Sequence, residues 1–234
     1  MFDNNVNIRD VSQKDFSSVT SLFSSASGYT GCCLVFDPTV APEIALESSN
    51  SIGASGWFFP VLTPVKDYVQ DLRNLLLDGW RFGIHLHHAS LEGDSYQILQ
   101  QINAWFKLAA DFEIPIFFCT HVSRPGNHIA WSLLTEFLRL RNDFPSVKVV
   151  VLHSGVSDLW NWLEALKYDV GVLLDLSHTL VLLNQIGRLT SFCGLFEKYD
   201  LRFSLGSDFP FHSLEQYRSA VDALEKALPQ LSFK

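Results

Sequence analysis

The feature that most constrains this chain is an alternation that runs from one end to the other. A short apolar run rich in Val, Phe, Ile or Leu is followed by a longer stretch with helical spacing, again and again. That pattern predicts a parallel sheet whose strands are joined by crossover helices. The candidate strands are Phe2 to Ile8, Cys32 to Phe36, Trp57 to Leu62, Phe82 to His87, Ile116 to His121, Lys148 to His153, Gly171 to Leu176 and Arg202 to Ser207. They number eight, as a closed α/β barrel requires, so the expected fold is a single (β/α)8 TIM barrel spanning residues 1–234.

Between the strands, Val69, Leu72, Leu75 and Leu76 share one helical face, and Ile98, Ile102, Trp105, Phe106 and Ala109 share another. Ser132 to Leu140, Leu159 to Leu166 and Leu214 to Leu228 read as further helices, with Gly79 and Pro145 placed where helices stop. Thr39 to Ser55 is polar and holds Gly and Ser, so it reads as a loop with at most a short helix around Glu43 to Leu46. No internal repeat and no Pro/Gly-rich linker divides the chain.

Composition narrows the function classes. Hydrophobic residues are 47% of the chain, enough for a large core. A net charge of −8 without clustered Lys and Arg argues against nucleic acid as the partner. No apolar stretch approaches the length of a membrane span and the N-terminus has no export-signal pattern, so a soluble, cytoplasmic protein is expected. Cys32, Cys33, Cys119 and Cys193 contain no CxxC pair and read as reduced core thiols.

Chemistry collects at the strand ends. His85 with His87, His121, His153 and Asp208 close four of the candidate strands, and in a barrel those ends converge on one face. Histidines with a carboxylate suit Zn²⁺ or a similar divalent ion that activates water. A lone strand-end histidine is more often a hydrogen-bonded core or rim residue; recurrence at the same end of the repeat is what brings a site level with that reading. His88, His128, His178 and His212 fall on loops, where a solvent-exposed role is expected, and stay outside the metal set.

Several of these segments resemble the amidohydrolase superfamily, in particular the branch of amidohydrolase-2 type hydrolases and related metal-dependent decarboxylases. Gly83-Ile84-His85-Leu86-His87 is similar to the family's GIKLH strand, and Ile114 to His121 to its LPVLVH strand. Phe144 to Gly155 resembles FPxLKIVLAHxG, Leu173-Leu174-Asp175-Leu176-Ser177 resembles VYVDLS, and Leu205 to Phe211 is close to FGSDYPF. The resemblance implies a metal-dependent hydrolase-like barrel with His121 as a metal ligand, Asp208 as ligand and proton-transfer group, and His153 as second-metal ligand or catalytic base. At the first strand the family has D-x-H-x-H, whereas this chain has Asn5 and Asn7 at the matching positions, and neutral amide oxygens are poor ligands for borderline metals. The family's fourth-strand Lys is replaced by His85, so a site relocated onto His85 or His87 with His121, His153 and Asp208 is an alternative.

Two functional expectations follow. One is a divalent-metal hydrolase, with Zn²⁺ the fitting ion, that cleaves an amide, ester or lactone bond in a small-molecule substrate, or a related decarboxylase. The other is a degenerate, metal-free barrel serving as a binding or regulatory protein. Short loops after the strands suggest an open mouth or one completed by a partner subunit, as in a homo-oligomer.

Overall fold

The computed structural model describes residues 2–8, 31–51, 57–64, 68–87, 91, 95–120, 133–199, 203–208 and 211–228. Eight strands form one sheet in chain order: β1 (Phe2–Ile8), β2 (Gly31–Phe36), β3 (Trp57–Leu62), β4 (Gly83–Leu86), β5 (Ile116–Cys119), β6 (Val149–Leu152), β7 (Val172–Asp175) and β8 (Phe203–Ser204). Every ladder from β1 to β8 is parallel. A β8–β1 ladder is not among the pairings of the described residues. The helices are α1 (Pro42–Ser51), α2 (Val69–Leu77), α3 (Ser95–Phe112), α4 (Leu133–Asp143), α5 (Leu159–Leu166), α6 (Thr179–Gln185), α7 (Leu189–Tyr199) and α8 (Leu214–Ala227).

Strand alternation sorts the buried side chains into two separate apolar layers. Cys33, Val35, Phe59, Val61, Phe117, Cys119, Val150 and Leu152 form one cluster. The register pairs Cys33 with Phe59, Val35 with Val61, Phe117 with Val150 and Cys119 with Leu152, so these residues share one face of the sheet. The alternate residues, among them Leu34, Phe36, Ile84, Leu86, Phe118, Val149, Val151 and Leu174, join the larger cluster with helical side chains such as Trp105, Phe106, Phe137 and Trp162. A sheet apolar on both faces, lined on one by its own side chains and covered on the other by helices, is the layering of an α/β barrel. Gly83 belongs to the inner layer, where a Cβ would stand 2.7 Å from Phe117 Cε2 and 3.2 Å from Phe59 Cε1. The absence of a side chain there makes room for two inner phenylalanines.

Five of the predicted strands end one to three residues late, the eighth stopping at Ser204 and not at Ser207. The other four stop at Leu86, Cys119, Leu152 and Asp175, so His87 and His153 lie past the ladders instead of in them. The polar 39–55 region differs more: it contains the ten-residue helix α1. Pro42 suits the first helical position, Ala45 and Leu46 are buried, and the Ser49 hydroxyl donates to Ala45 O at 2.9 Å. Tertiary burial of a short apolar stripe thus overrode weak propensity. The four cysteines are buried and none is in a disulfide, as expected. Among the described residues no helix is long and apolar enough to cross a membrane.

A buried arginine staples the N-terminal ends of β6 and β7 to α4. The Arg141 guanidinium donates to both carboxylate oxygens of Asp169 at 2.8 and 3.0 Å. It also donates to the carbonyls of Phe144 at 3.0 Å, Val147 at 2.5 Å and Pro145 at 3.0 Å. The planar fork satisfies acceptors on both sides of the α4–β6 turn, which a lysine could not do. Arg141→Met is expected to lower stability by about 2–4 kcal/mol, because it takes the charged donor away from those carbonyls and from Asp169. Arg139→Met, which removes exposed pairs to Glu136 and Asp143, should change it by less than about 1 kcal/mol. Urea midpoints at constant m-value check both, and equal effects would contradict the staple.

Candidate functional site at the ends of β6, β7 and β8

The polar centre starts where β6 leaves the sheet. Leu152 is still extended, but His153, Ser154 and Gly155 take φ of +62°, +48° and +80° and open a short 3-10 turn, His153–Asp158. Positive φ is uncommon for residues with a Cβ and persists only where the surroundings hold it. The surroundings here are aromatic. Phe137 stacks at tilted geometry on Phe118 at 5.0 Å and on Trp162 at 5.2 Å, and the Trp162 ring lies over Gly155 so closely that a Cβ would collide with it. The helix cover therefore presses directly on the turn that carries His153.

The turn is held from β7 by Asp175, whose residue is fully buried. One carboxylate oxygen, Oδ2, accepts from the backbone N–H of Ser177 at 3.1 Å and of His153 at 3.5 Å, and from the Ser177 hydroxyl. The same hydroxyl lies 3.0 Å from His153 Nδ1. Ser177 has one hydroxyl proton; donated to Asp175, it leaves the oxygen to accept from His153 Nδ1–H. The chain Asp175, Ser177, His153 thus selects the imidazole tautomer with its lone pair on Nε2. Ser154 Oγ donates to Asp175 O at 2.5 Å, Thr179 Oγ1 to His153 O at 2.5 Å, and Gly155 N to Thr120 Oγ1 at 2.9 Å. The rim of β5, β6 and β7 is thus stitched together by Thr120, Ser154, Asp175, Ser177 and Thr179, none of them in the expected metal set.

Beyond His153 the site continues into three further groups. His178, at φ +53°, and Asp208, at φ +55°, follow β7 and β8, and His212 precedes α8. The donor atoms of His178, Asp208 and His212 lie within 4.8 Å of one another. Among the described residues this is the only convergence of three or more His, Cys, Asp or Glu side chains. His178 Nδ1 is 2.8 Å from His212 Nε2, the two rings stack with centroids 4.9 Å apart, and the His153 ring stands edge-on to His178 at 6.1 Å. His212 is buried, and burial holds its imidazole below the ordinary histidine range, which favours the uncharged form. The position of His212 is locked by a capping box immediately after it, in which Ser213 Oγ accepts from Gln216 N and Gln216 Oε1 accepts from Ser213 N. Phe211, 58% exposed, presents a ring 5.2 Å from His178 and 5.0 Å from His212 at the mouth.

This arrangement corrects the expectation that His178 and His212 are solvent-exposed loop residues: His212 is buried and His178 half-buried. A capping signature, Ser213-x-x-Gln216, was the legible sign that the chain near His212 is fixed in place. Asp208 belongs to the convergent set, and His153 is its neighbour. Val151 joins the outer layer, and the positive φ at His153 ends the strand alternation just beyond it. His121 lies outside the described residues. Asn7 pairs in register with Val35, and the β1 ladder shifts between Asp3 and Val6, around Asn5.

His85 forms a separate polar point on the inner face of β4, in register with Phe117. Its Nδ1 is 2.9 Å from Thr63 Oγ1, and His87 stands with its ring centroid 5.8 Å away. Burial, with a smaller contribution from the neighbouring His87, pushes the His85 imidazole down to about 3.

No family model matches the chain, and no curated protein matches it in sequence. Its fold is shared with solved structures. An uncharacterised TIM-barrel protein of Bordetella bronchiseptica superposes with a TM-score of 0.70 at 13% identity, covering 98% of this chain and 99% of that one. A probable 2-pyrone-4,6-dicarboxylic acid hydrolase of Acinetobacter baumannii gives 0.63 at 16% identity, covering 97% and 91%. A TatD-like protein of Archaeoglobus fulgidus gives 0.61 at 16% identity, covering 98% and 94%. At such identities the likeness is one of fold, and the fold is the TIM barrel.

The His85 shift has a consequence for acid stability. The unfolded chain binds a proton at this histidine below its ordinary value of 6.5, and the folded chain only near 3. Stability from this group is therefore complete above pH 6.5 and declines as pH falls towards 3, by an amount on the order of a few kcal/mol. Melting the protein across that window should show the decline, and His85→Gln should flatten it; an unchanged slope in the variant would place the acid sensitivity elsewhere.

Proposed function

We propose that this protein is a metal-dependent hydrolase of the amidohydrolase type, acting on an amide, ester or lactone bond of a small molecule. The observation that carries the reading is the convergence of His178, Asp208 and His212 beside His153 at the C-terminal ends of consecutive barrel strands. That end of an α/β barrel is where active sites are built. Two imidazoles and a carboxylate form a nitrogen–oxygen donor set that fits Zn²⁺ or a similar divalent ion. Such an ion, when bound, supplies Lewis-acid polarisation of a carbonyl and makes water acidic enough to attack near neutral pH.

The chain's own groups cover the remaining tasks. His153, its Nδ1–H directed to Ser177, offers Nε2 to take a proton from the attacking water. Asp208 is the second proton-transfer group, and the transferred proton leaves with the amine or alcohol when the C–N or C–O bond breaks. Phe211 supplies an apolar wall at the mouth for the substrate's carbon skeleton. The hydrolase named among the structural neighbours supports the reading, as do the motifs around His121, His153 and Asp208. His85 and His87 enter it as further candidate ligands on sequence grounds.

The competing reading, a metal-free barrel used for binding, draws on Asn5 and Asn7 of β1. Elemental analysis of the purified protein, as isolated and after incubation with Zn²⁺ or Mn²⁺, separates the two. The hydrolase reading expects close to one divalent ion per chain, hydrolysis of some ester, lactone or amide in a substrate screen, and loss of both with chelator. Asp208→Asn and His153→Asn should each lower that activity at least about a hundredfold. Absence of metal under every condition would leave the binding-protein reading.

A further inference from the structure

We propose that His178, Asp208 and His212, at the ends of β7 and β8, hold a single divalent cation. The proposal rests on the metal-dependent reading and assigns its ligands. On β1, Asn5 and Asn7 offer only neutral amides, which bind borderline cations weakly. At the opposite end of the chain order, two imidazoles and one carboxylate bring their donor atoms within 4.8 Å of one another. Three protein ligands of this type leave positions open for water or substrate, as in catalytic sites.

Three independent features point to ligation instead of chance proximity. The first is the imidazole pair. His178 Nδ1 faces His212 Nε2 at 2.8 Å, so one of the two nitrogens must carry a proton towards the other. A cation takes the place of that shared proton once the ring protons shift to the outer nitrogens, and it satisfies both lone pairs at once. The second is backbone strain. Among the described residues, five with a side chain have positive φ, and four of these, His153, Ser154, His178 and Asp208, stand at the ends of β6, β7 and β8. Such conformations persist where tertiary structure imposes them, commonly at ligand clamps. The third is anchorage: the Ser213–Gln216 capping box holds the chain directly after His212, and Phe211 N and His212 N donate to Asp208 O at 2.8 and 3.3 Å. Two ligands thus come from one hydrogen-bonded turn. His153 remains beside the set, with its Nδ1 engaged by Ser177, as a base and not a ligand.

The test uses the full chain stripped of metal with chelator, then titrated with Zn²⁺ by calorimetry and with Co²⁺ by visible absorption. The expected result is one equivalent of either ion, with a Co²⁺ spectrum of low-coordinate nitrogen–oxygen ligation. His178→Asn and His212→Gln should each weaken Zn²⁺ binding at least about a hundredfold. His178→Cys, which supplies a thiolate in place of the imidazole, should regain most of the affinity. The double variant Asn5→Ala, Asn7→Ala should bind as the parent does. Melting curves without metal establish that each variant folds, and added Zn²⁺ should raise the melting temperature of the parent far more than that of His178→Asn. Undiminished affinity for one ion in the His178→Asn and His212→Gln variants overturns this ligand set and leaves a metal-dependent reading that must stand on other ligands. A parent that binds neither ion overturns both.

Discussion

Burial of the parallel sheet on both faces is the constraint from which the rest of this structure follows. Cys33, Val35, Val61, Phe117 and Leu152 fill one side, while Leu34, Ile84, Phe118 and Val151 meet helices on the other. Backbone groups inside such a sheet are satisfied by the ladders, and polar side chains have few places to go. They accumulate where the ladders stop. The exception within the inner layer, His85, meets the constraint by staying neutral and bonding to Thr63.

The strand ends convert that constraint into a site. Asp175 is carried into the rim by β7 and gathers the backbone of His153 and Ser177 around one oxygen. From the outside, Trp162 packs over Gly155 and so transmits the position of α5 to the same turn. A polar clamp from within and an aromatic weight from without hold His153 in a backbone conformation that a free chain would rarely adopt. Preorganisation of this kind is what lets a side chain act on a substrate without first being ordered.

The donor cluster is supplied by residues that follow β7 and β8. The C-terminal strand ends form a ring, and any adjacent pair of loops can supply converging groups. Asp208 is common to the arrangement that the sequence motifs imply and to the one formed with His178 and His212.

The eight strands and their parallel order were legible from apolar runs alone, because a strand buried on both faces has a local signature that needs no knowledge of its neighbours. Asp208 and His153 were legible as chemistry for a similar reason: each follows such a run. Helix α1 was not, since its few apolar residues acquire meaning only when Ala45 and Leu46 are buried. Nor were His178 and His212, separated by 33 intervening residues and joined by a 2.8 Å contact that only the adjacency of β7 and β8 creates. The sequence by itself determined the layers, the strand order and the end of the barrel at which polar groups gather, because those depend on periodicity. Which histidines meet was decided by the tertiary structure, because positive φ at His153, His178 and Asp208 breaks the alternation from which direction is read, and only packing from Trp162, Asp175 and the α8 cap sets where each ring finally points.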